Sequence, residues 1–267
     1  MRYKRAATVL ALILGLTPVD SPGSTAGEGA AGGAAPPGAK EAKEPRFFRR
    51  LAGDFGRMFA SRDSLCVLGI GGGLALVSAP VDHRIPRSRF NSELYPDTNL
   101  DRLFEGGDLA GDAPVLAGSA LAILLAGTLA GDARLTGLGS DLVRAQIVSG
   151  SVTLVLKLAT DRERPDGSSR LSFPSGHASA AFATATVFER RYGVKIGAPA
   201  YVVAAWIAAS RLNENKHFLS DVVFGASIGI AAGRAATAHD RSTRLLVAPQ
   251  VVPGGGVGIQ FMLIGRP

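Results

Sequence analysis

Three short stretches hold the residue types that phosphorus chemistry needs. KLATDRERP supplies Lys157, Arg164 and Pro165; FPSGH supplies Ser175, Gly176 and His177; SRLNENKHFLSD supplies Ser210, Arg211, His217 and Asp221. Lys157, Arg164 and Arg211 are three cations, and arginine forks match phosphate oxygens while lysine adds a point charge. Ser175 is a good helix cap, and the N–H groups at Ser175 and Gly176 would face out of a helix N-terminus, which attracts anions. Glycine lets an anion approach the main chain. His217 and Asp221 are spaced i, i+4, so a helix would put them on one face. A carboxylate on one ring nitrogen leaves the other free to attack phosphorus and stabilises the imidazolium that forms. His177 is then the group to protonate the leaving oxygen. The cations neutralise the phosphoryl oxygens, so no metal is needed, and no Asp/Glu/His cluster has metal spacing along the sequence.

Each stretch alone is weak, because a lone histidine is more often structural or solvated than catalytic. Lys157 would equally snorkel from an apolar helix, and Arg164 would equally cap one. Asp161, Arg162 and Glu163 read as a solvated turn. His83 and His239 fit no pattern and carry no function.

Taken together, K-x6-R-P, P-S-G-H and S-R-x5-H-x3-D resemble the signature of the type 2 phosphatidic acid phosphatase and vanadium haloperoxidase superfamily. The likeness spans residues 110–238, with no departure at the signature positions. It implies an all-α helical bundle and a phosphohistidine mechanism. By position, Lys157, Arg164, Ser175, Gly176 and Arg211 would bind phosphate. His217 would be the nucleophile, Asp221 its partner and His177 the general acid. The resemblance implies a metal-independent phosphatase of phosphate esters, with lipid phosphates or diphosphates the first expectation. The alternatives are a vanadate-dependent haloperoxidase, in which vanadate would be the bound cofactor, and a non-enzymatic phosphate-binding envelope protein. No cofactor is expected otherwise.

These stretches must sit at the ends of helices that converge on one face. Helical apolar patterning appears near 65–79, 113–130, 141–159, 178–190, 197–211 and 218–238. PRFFRRLAGDFGRMF adds a basic amphipathic helix, suited either to an anionic membrane or to the domain surface. The stretch DHRIPRSRFNSELYPDTNLDRLFEGGD reads as polar and turn-rich. RLLVAPQVVPGGGVGIQFMLI reads as a short C-terminal β-hairpin around PGGG. The organisation expected is a signal peptide or anchor over 1–20, a Gly/Ala/Pro linker over 21–45, a helical domain over 46–240 and the hairpin over 241–267.

Composition bounds the partners. Hydrophobic residues are 46%, charged residues 19%, and 34 glycines accompany many alanines, which suits closely packed helices. The net charge of +7 fits an anionic partner, but no basic stripe interleaved with aromatics appears, so nucleic acid is not expected. The partners expected are a phosphate ester and a membrane or its surface. The basic-then-apolar N-terminus points to export, to the periplasm or cell envelope, with the site outside the cytoplasm. Only 113–130 is a charge-free run long enough to span. The other runs are shorter or interrupted by Arg144, Gln146 or Arg234, so a soluble or peripheral domain is expected. Cys66, the single cysteine, reads as a small buried hydrophobe.

Overall fold

A computed structural model describes residues 46–82, 99–238, 244–252 and 256–264. The N-terminal signal and linker, His83 and His239 lie outside the described residues. The helices are α1 (Arg46–Ala60), α2 (Arg62–Ser78, prolonged by a 3-10 turn over Ala79–Val81), α3 (Asn99–Gly111) and α4 (Ala113–Ala130). They continue with α5 (Ala133–Thr160), α6 (Gly176–Tyr192), α7 (Val194–Asn213) and α8 (Leu219–Thr237). Two strands, β1 (Arg244–Val252) and β2 (Gly256–Ile264), pair antiparallel with Arg244 opposite Ile264.

Glycine and alanine are concentrated where helices meet, above all at α8. Helix α8 is central and packs against α1, α2, α5 and α6. Gly225, Gly229 and Gly233 recur every four residues on the face that meets α6. A Cβ on Gly225 would lie 2.5 Å from the Ser175 carbonyl oxygen, and one on Gly229 would lie 2.2 Å from that of Ser179. Only glycine allows the two backbones this close. Ala183 of α6, at 0% exposure, lies in the same contact, beside Gly229 and Gly233. This packing fixes the start of α8, which carries Asp221, against the start of α6, which carries His177.

Two elements differ from the sequence expectation. Helix α3 lies inside the stretch read as polar turns. Its two central glycines are contact points rather than breakers: a Cβ on Gly107 would meet Ser210 at 3.0 Å and one on Gly106 would meet Trp206 at 3.4 Å. The Trp206 Nε1–H donates to the Leu103 carbonyl at 3.1 Å. Helix α5 begins eight residues earlier than the pattern suggested, because Asp132 caps it by accepting from the N–H groups of Arg134 and Leu135 at 2.8 and 3.1 Å.

The reading that only 113–130 is long and apolar enough to span is also corrected. Four segments are long and apolar enough to cross a membrane: Arg62–Val81, Ala113–Ala130, Ala133–Thr160 and Leu219–Thr237. Arg144 had counted as an interruption, yet it is fully buried and never faces outward. It pairs with Asp54 and Asp141 and donates to the Ala236 carbonyl at 2.9 Å. Asp141 in turn accepts from Arg191 Nε at 2.8 Å. Gln146 likewise turns inward, donating to the Ala180 carbonyl and Thr184 Oγ1. The outward faces are apolar instead: Leu76, Val77 and Leu129 are 77%, 76% and 88% exposed. Cys66 lies on such a face and is exposed rather than buried.

Helix α1 packs on the domain, one of the two readings made of it. Met58 and Asp54 are buried against the bundle, while Phe48 and Phe59 are exposed.

Candidate active site

The three chemical stretches meet at one end of the bundle. The C-terminal turn of α5 carries Lys157, and the N-terminus of α6 carries Gly176 and His177. The C-terminal turn of α7 carries Arg211, and the first turn of α8 carries Asp221. The connecting loop 161–175 brings Arg164, and the loop between α7 and α8 brings His217. These loops are tied together: the Asp166 N–H donates to the Asn215 carbonyl at 3.2 Å and Lys216 pairs with Asp166 at 2.7 Å. Thr160 Oγ1 fastens the loop to α5 by donating to the Phe173 carbonyl at 3.0 Å. Phe173 stacks on Phe224 of α8, with ring centroids 5.2 Å apart.

His217 is 2% exposed. Burial is the largest influence on it and pushes its pKa down to about 4; Asp221 opposes, and the charges of Lys157 and Arg164 add to the depression. The ring is therefore neutral at ordinary pH, as a nucleophile must be. Its Nδ1 lies 3.7 Å from Asp221 Oδ2, an ion-pair distance rather than a hydrogen bond. Asp221 is instead held by its other neighbours. Oδ2 accepts from Ser172 Oγ at 2.5 Å and from the Phe218 N–H at 2.9 Å, and Oδ1 accepts from Arg162 at 2.7 Å.

Arg162 corrects the reading of 161–163 as a solvated turn. Its guanidinium bridges Asp221 and Asp82, the latter at 2.9 Å, and lies over the Phe218 ring at 4.2 Å. Asp82, at 0% exposure, also accepts from the Ser220 N–H at 3.0 Å. Asp82, Arg162 and Ser172 thus set the position of Asp221. Asp82 was missed because its partners lie 80 and 138 residues away in sequence. The signal for Arg162 was its place inside KLATDRERP.

Ser175 has a narrower part than expected. Its N–H donates to the Asp221 carbonyl at 2.9 Å, and its Oγ caps α6 by accepting from the Ala178 N–H at 3.4 Å. The N–H groups left to face an anion at this terminus begin at Gly176. A Cβ there would meet Thr153 and Lys157 at 3.9 and 4.0 Å, ordinary contact. Glycine keeps clear the space beside Lys157 rather than relieving a clash.

His177 Nε2 lies 3.1 Å from Asp108 and 3.2 Å from Asp112. Burial is the main influence on this ring and lowers its pKa, with Asp112 opposing. Arg211 pairs with Asp108 and with Glu214, the latter at 2.8 Å. Asp108 ends the stretch read as turns, and Asp112 stands just before the apolar run 113–130. With His177 they bring three metal-ligand atoms within 4.8 Å of one another, a grouping that spacing along the chain did not reveal. Beside Lys157 and His177 opens a cavity of about 550 Å³. It runs between α4, α5 and α6 along Ala117, Leu121, Val143, Ile147, Gly150 and Leu154.

Comparison with known proteins follows this geometry. A family model described as the PAP2 superfamily matches residues 139–243, which hold every signature residue above. The lipid A 1-phosphatase of Porphyromonas gingivalis is 39% identical over 97 residues, covering 35% of this chain and 22% of that protein. The chain thus spans about a fifth of the length of the curated relative it matches. A crystal structure of Aquifex aeolicus LpxE aligns with a TM-score of 0.45 and 25% identity, covering 57% of this chain and 97% of that one. That of a transmembrane PAP2 type phosphatidylglycerolphosphate phosphatase from Bacillus subtilis aligns at 0.49 and 20%, covering 74% and 96%. The stretch of the helical domain that holds the site is thus the part that resembles the PAP2 superfamily.

Proposed function

We propose that the protein is a membrane-embedded phosphatase of lipid phosphate esters that works through a phosphohistidine on His217. One observation carries this reading: a buried, neutral histidine, His217, feels the charges of Lys157 and Arg164, and an apolar trough opens beside Lys157, Gly176 and His177. The likeness to a lipid A 1-phosphatase supports a lipid substrate.

The trough accounts for the lipid. Lys157 and Val143 line its two ends on one helix, 14 residues apart, and at about 1.5 Å per residue this is roughly 21 Å. Leu121, Ile147 and Leu154 are 48%, 38% and 44% exposed, so the trough is open along its side. A hydrocarbon chain entering from a bilayer would lie in it with its phosphate at Lys157.

Chemistry then proceeds in two steps. The free ring nitrogen of His217 attacks phosphorus, the bond to the leaving oxygen breaks, and His177 gives that oxygen its proton. Water next attacks the phosphorus–nitrogen bond while His177 takes the proton back, and phosphate departs. Lys157, Arg164, Arg211 and the Gly176 N–H stabilise the charge on the phosphoryl oxygens. Asp221 stabilises the imidazolium. No metal enters these steps; excess chelator should leave turnover intact, and its loss with rescue by magnesium would refute that.

Charge at the two ends supports a site outside the cytoplasm. Opposite the site, the bundle end carries Arg57, Arg62, Arg134, Arg190, Arg191, Lys195 and Arg234. The Arg57 Nε–H donates to the Ala235 carbonyl, which fixes α1 at that end. Lysine and arginine favour the cytoplasmic face. At the site end Arg162 and Arg211 are paired with carboxylates of the site, and Lys157 and Arg164 act on His217.

The decisive experiment is turnover of phosphatidate by the purified chain in detergent, with rapid quenching and mapping of the labelled residue. Label on His217 is expected. Full activity of His217→Ala would overturn the assignment.

A further inference from the structure

We propose that Asp108 and Asp112 make this site selective for monophosphate esters over diphosphate esters. The inference rests on the reading above, in which His217 takes the phosphoryl group and His177 protonates what leaves. The two carboxylates lie 3.1 and 3.2 Å from His177 Nε2, so the atom that would hand over the proton already faces them. They come from the last turn of α3 and the cap of α4, and both are only partly exposed. Their seat is tight. A Cβ on Gly111, between them, would lie 2.8 Å from His177 Cδ2 and 2.3 Å from Ile207 Cγ2. The carboxylates are thus pressed against the ring by packing, and a leaving group has to depart past them.

The two substrate classes differ at this point. Cleavage of a phosphomonoester breaks the phosphorus–oxygen bond to an alcohol, His177 supplies the proton, and a neutral hydroxyl leaves. Asp108 and Asp112 can accept its hydrogen bond, and they suit an amine or further hydroxyls equally well. Taking the terminal phosphoryl group of a diphosphate ester instead expels a monophosphate, which stays anionic after it receives the proton. That anion would press against two carboxylates in a half-buried site, where like charges are poorly screened. The nearby cations do not relieve it. Lys157, Arg164 and Arg211 serve the phosphoryl group being transferred, and although Arg211 offsets part of the charge of Asp108, Asp112 is paired with His177 and not with Arg211. The trough takes the hydrocarbon of either substrate, so discrimination falls on the leaving oxygen and not on the tail.

The test uses the full chain in neutral detergent and a pair of substrates with one tail, an isoprenyl monophosphate and the matching diphosphate. The wild type should favour the monophosphate by about tenfold or more in kcat/KM. Asp112→Asn should shrink that ratio about tenfold, equivalent to about 1.4 kcal/mol, and Asp108→Asn/Asp112→Asn should shrink it further. The ratio is read because it is unaffected by the fraction of protein that is active. Asp112 makes no side-chain capping bond to α4, so asparagine should be accommodated. An unchanged ratio in active variants overturns the inference alone. So does a wild type that prefers the diphosphate, including one that does so only with magnesium bridging it to the carboxylates. Failure of the wild type to cleave either lipid overturns the phosphatase reading, and this inference with it. Should the variants not accumulate, inhibition of the wild type decides: an alkyl phosphonate must bind better than the matching methylenebisphosphonate, and the reverse order overturns the proposal.

Discussion

In the proposed mechanism His217 and His177 are a pair of histidines with different work. Burial holds His217 neutral, with a pKa of about 4, well below the ordinary 6.5. The nucleophile should therefore stay competent into acid, and kcat/KM should hold until pH approaches that value. With His177 as the proposed acid, the alkaline limb belongs to His177, which must carry a proton. Burial and Arg164 lower its pKa, while Asp112 and Glu214 raise it. Asp112→Asn should accordingly move the alkaline limb to lower pH; a pH–rate profile that does not move contradicts the role of His177 as acid. Stability has its own sign. The unfolded His217 binds a proton near 6.5 and the folded one only near 4, so the unfolded state binds more protons between these values. Stability contributed here is lost as pH falls through that window, which thermal unfolding in detergent at pH 7 and pH 4.5 should show. His177→Ala should cost most with an alkyl leaving group and be spared in part with nitrophenolate, which needs less protonation. Equal losses for both would count against it.

At the scale of elements, the site is held by connections the local pattern does not show. Arg162 joins the 3-10 turn after α2, through Asp82, to the first turn of α8, through Asp221. Arg162→Ala should lower kcat by roughly 10–100-fold, the scale typical of groups that orient a functional histidine. KM should change little, and Arg162→Lys should restore only part because it cannot bridge both carboxylates. A fall confined to KM would place Arg162 at the substrate instead. The α6–α8 contact is as demanding. Gly229→Ala would force a methyl to within 2.2 Å of the Ser179 carbonyl oxygen, and overpacking of this kind costs about 1–3 kcal/mol. A variant as heat-stable as the wild type would show that the helices are farther apart than described. The sequence made the motif residues legible because each stretch pairs an unusual residue with a helix end, as Ser175-Gly176-His177 does. It hid Asp82, Asp108 and Asp112 because carboxylates among turn-forming residues look solvated until a distant helix supplies their partners. It also made Gly106 and Gly107 look like breakers, since closeness to Trp206 and Ser210 has no local signature.

The largest revision comes at the scale of the whole molecule. Arg144 and Gln146 broke the apolar runs on paper, and that argued against several spans. Both turn inward: Arg144 is enclosed by Asp54, Asp141 and the Ala236 carbonyl, and Gln146 by the Ala180 carbonyl and Thr184. A charge in a spanning helix is tolerated when it faces the bundle and finds a partner. What remains outward is leucine, isoleucine and valine, as at Ile70, Leu76, Val77, Leu125 and Leu129, all more than half exposed. Leaving such faces in water would cost about 25 cal/mol per Å² of apolar surface, whereas hydrocarbon removes the cost. The protein should therefore remain in the membrane pellet after an alkaline carbonate wash and need detergent for release. Fusions should report opposite sides for the two bundle ends. A reporter placed in the 131–132 turn, among the arginines, should be active in the cytoplasm, and one in the 161–170 loop should be active outside it. Release by carbonate would show that the apolar faces are covered by protein instead. Reporters that agree on one side would show that the bundle does not cross.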